Sequence, residues 1–217
     1  NLALGKAAAM GSLCNPLGFA MLRVVVQKRE QMALIDLYDQ PMLIENPGSV
    51  VVCLVGEGEN QKVGLIEVFR NTGERINQDT KSYIAGINER QEWEYLLSTL
   101  GRMEWELPRG LAPGGEGQPI ESAILNLARA EALEEAGLVL ANCLVAGRVN
   151  WNTTFCAHPK FVVVGRIIDQ VEQRPEELEI IGKMRLFSRQ EIRELVNRGE
   201  LTDGLGLAAL AVAGIHF

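Results

Sequence analysis

The sequence contains few of the residues on which several common kinds of site depend. It has two histidines, His158 and His216, and no serine or cysteine motif surrounds either, so the sequence does not indicate a nucleophilic triad. The cysteines show no C-x-x-C pair, which favours reduced thiols over a zinc site or a disulfide framework and predicts a cytoplasmic protein. These cysteines are Cys14, Cys53, Cys143 and Cys156.

Positive charge and long apolar runs are also scarce. Lys and Arg number 21 against 28 Asp and Glu, and the formal net charge of −7 argues against nucleic acid as a partner, since phosphate binding needs basic clusters. No apolar run reaches transmembrane length, so we predict no membrane partner. Residues 1–20 are apolar but interrupted by Gly, Asn and Pro. We interpret them as a segment that packs on the body or contacts a partner, with a signal peptide as the weaker alternative.

The sequence does provide enough apolar residues, 47%, for a sizeable core. Strands on both sides of one central helix, with further helices at the end, predict a mixed sheet flanked by helices, an α+β arrangement. We divide the chain into an extension with antiparallel strands, 1–48, and a main domain, 49–217. The predicted strands are 22–28, 32–38, 49–54, 63–69, 105–107, 140–149, 161–168 and 180–187. Besides the central helix, the predicted helices are 88–100, one capped by Ser188 and ended by Gly199, and 203–215.

The central helix carries three acids, Glu131, Glu134 and Glu135, at i, i+3 and i+4, so they project from one side. A separate apolar stripe comprises Leu125, Ala128, Ala132 and Ala136. The helical repeat places the acids about a quarter turn from this stripe, so we expect them to flank the core and line a cleft. Carboxylates near a helix C-terminus face the negative end of the macrodipole. A solvated acidic face is one interpretation. The other is a bound divalent cation, whose positive charge would offset the unfavourable interaction of the carboxylates with the macrodipole.

The residues around this helix resemble the signature of the Nudix hydrolase superfamily. Gly110, a five-residue spacer and Glu116 match its first half. Two departures stand out: the spacer after Glu116 is six residues longer than in the pattern, and Ala130 replaces the family arginine, with Arg129 one position early. The second half of the signature is matched by Glu131, Ala132, Glu134, Glu135, Gly137 and Leu138.

The resemblance implies a Nudix α/β/α sandwich with a mixed sheet. It also implies Mg²⁺ or Mn²⁺ as the cofactor, with the metal ligands Glu116, Glu131, Glu134 and Glu135. The catalytic residues would come from Glu134, Glu135 and a late acidic loop, in which Glu176, Glu177 and Glu179 are candidates for the general base. A solvated loop is the alternative for each of these three acids, and a plain loop acid is the alternative for Glu116.

Beyond the signature, the sequence is most similar to the ADP-ribose pyrophosphatases. By this resemblance Arg70 contacts substrate phosphate, the carbonyl group of Arg109 lies where the family donates a backbone ligand, and Trp151 stacks on a base. An exposed strand-end arginine and a half-buried loop tryptophan are the alternatives. The subfamily also implies a homodimer in which the N-terminal strands contribute to the interface.

The implied activity is hydrolysis of the pyrophosphate bond in a nucleoside diphosphate derivative, ADP-ribose or a nucleotide sugar. Ala130 and the longer spacer motivate an alternative, a non-catalytic domain that binds or senses nucleotides. A Nudix hydrolase of another diphosphate is the third possibility, acting on a dinucleoside polyphosphate or on a lipid-linked or coenzyme diphosphate.

Overall fold

We describe the protein from a computed structural model, over residues 27–29, 32–37, 40–70, 102–112, 120–156, 158–175 and 179–217. The predicted helix at 88–100, Glu116, Glu176 and Glu177 lie outside these residues. The strands are β1 (Gln27–Arg29), β2 (Met32–Leu37), β3 (Gln40–Glu45), β4 (Gly48–Val55), β5 (Lys62–Arg70), β6 (Arg102–Glu106), β7 (Arg109–Leu111), β8 (Leu138–Val149), β9 (Lys160–Gln170) and β10 (Ile181–Ser188). The helices are α1 (Ile120–Ala136), α2 (Arg189–Arg198) and α3 (Gly204–Val212). In the part of the chain described, no helix is long and apolar enough to cross a membrane.

The main sheet is mixed, with strand order β10-β5-β4-β9-β8. Strands β4 and β9 pair in parallel, and all the other pairs of this sheet are antiparallel. Between β4 and β5 the sheet divides, because the two strands pair directly only where 53–55 meets 62–64. Further along, β6 pairs with β5 and β7 pairs with β4, and Pro108 lies between them. This division opens the sheet beside the first residues of β7.

The residues of β4 alternate between two apolar layers, as the period of a strand requires. Val50 and Val52 pack in a core that includes residues of α2 and α3, whereas Val51 and Cys53 pack in a second core that includes the buried side of α1. The sheet is therefore covered by α1 on one face and by α2 and α3 on the other. This is the sandwich that the sequence predicted.

The helix boundaries follow the predicted capping signals. At α2, Ser188 and Glu191 form both hydrogen bonds of a capping box, and the helix ends at Gly199 in the left-handed region, φ 68°. The side chain of Asp203 caps α3 by accepting a hydrogen bond from the N–H of Gly206. Gly137 ends α1 at φ 65°, where an added Cβ would lie 2.3 Å from the carbonyl oxygen of Val171.

A separate three-stranded sheet, β1-β2-β3, precedes the main sheet. Its third strand was not predicted, because Pro41 lies within it and proline lowers the expectation of a strand. The N–H of Leu43 donates to the carbonyl of Phe155 at 2.7 Å, which ties this small sheet to the segment between β8 and β9. The division at residue 48 stays a prediction.

Candidate active site

A cavity of about 830 Å³ lies where the main sheet divides. It brings together residues from β3, β5, β7, α1, the segment after β8 and the start of α3. The cavity contains every predicted site residue that the structure describes: Arg70, Arg109, Glu131, Glu134, Glu135, Trp151 and Glu179. Glu116 and Glu177 lie outside the described residues, so their predicted roles stay predictions.

The three acids of α1 differ in burial, which corrects one expectation. Glu134 is exposed and Glu131 is half-buried, but Glu135 is only 2% exposed and does not flank the core. Its carboxylate faces β7, where the backbone N–H of Arg109 donates to Oε2 at 2.8 Å. This hydrogen bond lowers the free-energy cost of burying the carboxylate. Helical periodicity did not predict the burial, because it contains no information about a partner on another element.

The apolar stripe of α1 is also rotated relative to the prediction. Ile124 and Leu127 are buried along with the three predicted alanines, whereas Leu125 is only partly buried. The shift toward Ile124 places Glu135 on the buried side of the helix.

Gly110 explains how a half-buried carboxylate approaches the backbone of β7. A Cβ added to this glycine would lie 1.8 Å from Oε1 of Glu131, so no other residue fits without displacing that side chain. Gly110 therefore positions Glu131 through the absence of a side chain. This supplies a physical reason for the glycine that begins the signature.

Glu135 is strongly affected by its surroundings. The pKa of its carboxyl is raised to about 8, chiefly by burial and also by the neighbouring charges of Glu131 and Glu179, while the N–H of Arg109 and the charge of Arg70 oppose the shift. The side chain of Glu179 is therefore close enough to interact with a carboxylate of the central helix. Such a raised pKa in a cavity is typical of functional sites and of sites that gain a cation.

Two arginines of the cavity are linked by a buried carboxylate that the sequence did not reveal. Arg70 Nε lies 3.0 Å from both carboxylate oxygens of Glu106, and Arg70 Nη2 donates to Oε2 at 2.8 Å. Arg109 Nη2 lies 2.9 Å from the same Oε2, and Arg109 Nη1 lies 2.9 Å from Asp203 Oδ2. Both guanidinium groups are thus held in fixed positions at the wall of the cavity.

A second ion pair lies in the same cavity. Lys160 Nζ donates to Glu45 Oε2 at 2.6 Å, and their side chains are only 10% and 14% exposed. Nearby, the hydroxyl of Ser49 is buried and has no hydrogen-bond partner among the described residues. Because Glu45 belongs to β3, the small N-terminal sheet contributes to the cavity wall. Trp151 lines the cavity and is 45% exposed, and its stacking on a base stays a prediction.

Position 130, where the signature that the sequence resembles has an arginine, carries a short and exposed side chain. Ala130 is exposed, and Arg129, also exposed, donates from Nη1 to the carbonyl of Leu125 in its own helix at 3.3 Å. Arg129 also interacts with the thiol of Cys143.

The donors of the cavity fit a hard divalent cation in chemical type. The acidic side chains that line it outnumber the basic ones by six to three, and carboxylate oxygens are the ligands that Mg²⁺ and Mn²⁺ prefer. Within the described ranges, however, no three His, Cys, Asp or Glu side chains lie close enough together to hold a metal ion. The described members of the predicted ligand set, Glu131, Glu134 and Glu135, therefore share a cavity without forming a complete metal site.

Comparisons with known proteins give structural matches only. No protein-family profile matches the sequence, and no curated protein matches it. A Nudix hydrolase from Nitrosomonas europaea is 17% identical, covers 79% of this chain and 93% of its own, and has a TM-score of 0.46. An ADP compounds hydrolase is 12% identical, covers 89% of each chain and has a TM-score of 0.52. At this identity the likeness shows the fold alone, and it confirms the α+β sandwich with a mixed sheet that the resemblance to Nudix hydrolases predicted.

Proposed function

We propose that the protein hydrolyses the pyrophosphate bond of a nucleoside diphosphate derivative, such as ADP-ribose or a nucleotide sugar, with Mg²⁺ or Mn²⁺. One observation carries the proposal: carboxylates of α1 and two anchored arginines face the same cavity. The paired N–H donors of an arginine guanidinium group form hydrogen bonds with phosphate oxygens. Carboxylates bind the divalent cations that accompany a diphosphate. The likeness to a hydrolase of ADP compounds supports the same class of substrate.

The charges of the cavity support a requirement for a cation. The two arginines already pair with Glu106 and Asp203, so they bring little uncompensated positive charge to the cavity. Even with Glu135 protonated, the other two acids of α1 leave a negative surface that repels a diphosphate. Glu131, Glu134 and Glu135 would hold the ion, with Glu116 as a further ligand. A bound Mg²⁺ or Mn²⁺ stabilises charge on phosphate oxygens and lowers the pKa of a bound water.

The protein's own groups would then bind and orient the substrate. Arg70 and Arg109 donate hydrogen bonds to phosphate oxygens, and Trp151 stacks on the base. Among the described residues, Glu179 is the candidate for the general base, because it lines the cavity and its charge raises the pKa of Glu135. Glu177 is the other candidate. A base must come within hydrogen-bond reach of the attacking water, which Glu179 can do from the cavity wall.

The experiment is hydrolysis of ADP-ribose in the presence of Mg²⁺, with AMP release as the readout. The matched variant Glu135→Gln keeps the shape of the side chain and removes its charge, so metal-dependent turnover should disappear with the fold retained. Chelation of the metal should also abolish turnover. Absence of hydrolysis across a panel of nucleoside diphosphate derivatives, with either metal, would reject the proposal. Hydrolysis by Glu135→Gln at the parent rate would remove Glu135 from the ligand set.

A nucleotide-binding domain without catalysis is the second candidate. It is favoured by Ala130 and by the lack of three converging metal ligands within the described residues. Calorimetry with ADP-ribose separates the two functions, since tight binding without release of AMP supports a sensor. If another diphosphate is the substrate, mass analysis of the products from dinucleoside polyphosphates and from lipid-linked or coenzyme diphosphates will identify it.

We further propose a homodimer, in which the N-terminal strands contribute to the interface, and a location in the cytoplasm. The proposed dimer follows from the resemblance to ADP-ribose pyrophosphatases. Light scattering of the purified protein tests it directly, and a monomeric mass at micromolar concentration would reject it.

A further inference from the structure

Glu106 stands at the centre of the arginine pair and does not itself line the cavity. Its side chain is 3% exposed, whereas those of Arg70 and Arg109 are 34% and 25% exposed. The carboxylate therefore lies behind the two guanidinium groups, which separate it from the space where a ligand would bind.

The hydrogen bonds fix both guanidinium groups through one carboxylate. Nη2 of Arg70 and Nη2 of Arg109 contact the same atom, Glu106 Oε2, at 2.8 and 2.9 Å. The two cationic groups consequently lie side by side, which they could not do at low cost without an anion between them. Asp203 holds the far side of Arg109 at 2.9 Å, so this guanidinium group is fixed from two directions.

We propose that Glu106 is a positioning residue that presents Arg70 and Arg109 as one paired site for the diphosphate of the substrate. The identity of the anion rests on the proposed function. The pairing itself rests on the distances and burial of these three residues. Glu106 acts on the ligand only through the arginines. It fixes the orientation of the two guanidinium planes and reduces the repulsion between their positive charges.

The chain offers a matched control in Glu104. It lies on the same strand, its side chain is also 3% exposed, and it accepts a hydrogen bond from Nε of Arg102 at 2.7 Å. It also accepts one from the hydroxyl of Thr202 at 2.5 Å. Arg102 is not among the residues that line the cavity. The variants Glu106→Gln and Glu104→Gln therefore disturb similar buried ion pairs, of which only one positions arginines at the cavity.

The kinetic test compares these two variants with the parent on ADP-ribose and Mg²⁺. Glu106→Gln should raise KM by about tenfold or more with a smaller change in kcat, because it removes charge-assisted positioning of groups that bind the substrate. Glu104→Gln should lower stability comparably and leave KM unchanged. In an Arg70→Ala background the effect of Glu106→Gln on KM should shrink, since one of its two targets is gone. Equal effects in both backgrounds, or an equal rise of KM in Glu104→Gln, would overturn the proposal.

A measurement that does not depend on turnover separates this proposal from the proposed function. In ¹⁵N-labelled protein the Nε–H signal of Arg70, assigned by its loss in Arg70→Lys, should be protected from exchange in the parent and in Glu104→Gln and exposed in Glu106→Gln. Titration with inorganic pyrophosphate and Mg²⁺ should shift the parent's Arg70 signal. Unchanged protection in Glu106→Gln overturns the positioning role, whether or not the parent hydrolyses ADP-ribose.

If Glu106→Gln does not fold, Glu106→Asp gives the deciding comparison. It keeps the charge but withdraws the carboxylate by one methylene from both arginines. KM should still rise, and the Nε–H signal of Arg70 should lose protection. An unchanged KM together with a protected signal would contradict the proposal.

Discussion

The backbone N–H of Arg109 donates a hydrogen bond of 2.8 Å to Oε2 of Glu135, and this contact joins α1 to the first residue of β7. The same residue, Arg109, binds Glu106 and Asp203 through its side chain. One residue therefore connects the acidic side of the cavity with its basic side. The geometry of the carboxylates and that of the arginines are consequently coupled through β7.

Glu135 should make the metal-free protein less stable at high pH. The pKa of its carboxyl is raised from 4.5 to about 8 by burial, so between those values the folded state holds a proton that the unfolded state has lost. The resulting stabilisation is complete below the pKa that Glu135 has in the unfolded state. It is lost as pH rises through about 8, the pKa in the folded state. Thermal midpoints measured in chelator from about pH 5 to about pH 9 should fall by several degrees.

The variant Glu135→Gln provides the control for this pH dependence, because it cannot titrate. Its midpoint should change less over the same range. Added Mg²⁺ should raise the parent's midpoint at high pH by mass action and should have little effect on the variant. Parallel profiles of parent and variant without metal would show that Glu135 is not the responsible group.

Gly110→Ala should weaken metal binding more than it weakens the fold. The new Cβ would lie 1.8 Å from Oε1 of Glu131, and this flexible side chain can swing away, which removes one proposed ligand. We expect the apparent affinity for Mg²⁺, followed by calorimetry, to fall about tenfold or more, as for the loss of one ligand interaction.

Gly204→Ala is the comparison for this variant, because an added Cβ there meets no atom of the described residues within 4 Å and the residue begins α3. Its stability should equal or exceed that of the parent, since alanine favours helix. If Gly110→Ala binds Mg²⁺ as the parent does, Glu131 is not required for the ion.

Most of the described elements follow from local sequence signals, with β3 and β7 as exceptions, whereas half of the cavity does not. The acids of α1 share one helix, so their spacing predicted a common site. The bond between Arg109 and Asp203 spans 94 positions, and the bond between Lys160 and Glu45 spans 115. Pairs so far apart in sequence form only because the fold brings their strands and helices together. The periodicity within either segment does not predict that arrangement.

The burial of Glu135 was missed for a related reason. Spacing gives the direction of a side chain around its own helix. Whether a side chain in that direction is exposed to solvent depends on the neighbouring strand. Glu106 is the last residue of β6, and a carboxylate at a strand end is ordinarily exposed. Only the convergence of Arg70 and Arg109 on it shows why it is buried here.

The pair of Lys160 and Glu45 should be costly to break from one side. Both side chains are largely buried, so Lys160→Met leaves a buried carboxylate without its partner, at about 3–5 kcal/mol in the free energy of unfolding. The double variant Lys160→Met, Glu45→Gln should regain much of that loss, because neither charge remains. Urea unfolding of the parent, Lys160→Met, Glu45→Gln and the double variant gives the coupling.

The exposed pair of Arg166 and Glu57 is the comparison, with side chains 50% and 81% exposed. Its removal by Arg166→Met should change the free energy of unfolding by at most about 1 kcal/mol. If Lys160→Met costs no more than this exposed variant, the buried pair does not hold the N-terminal sheet to the cavity.

Glu179→Gln should separate the chemical step from binding. As a general base, Glu179 acts in the transition state, so its loss should lower kcat by about a hundredfold or more, with a smaller change in KM. Its charge also raises the pKa of Glu135, so the same variant should move the metal-free stability profile to lower pH, because Glu135 then ionises more readily. The second measurement tests the electrostatic effect of Glu179 on Glu135 independently of turnover. A shifted profile with an unchanged kcat would exclude Glu179 as the base and leave Glu177 to be tested by the same substitution.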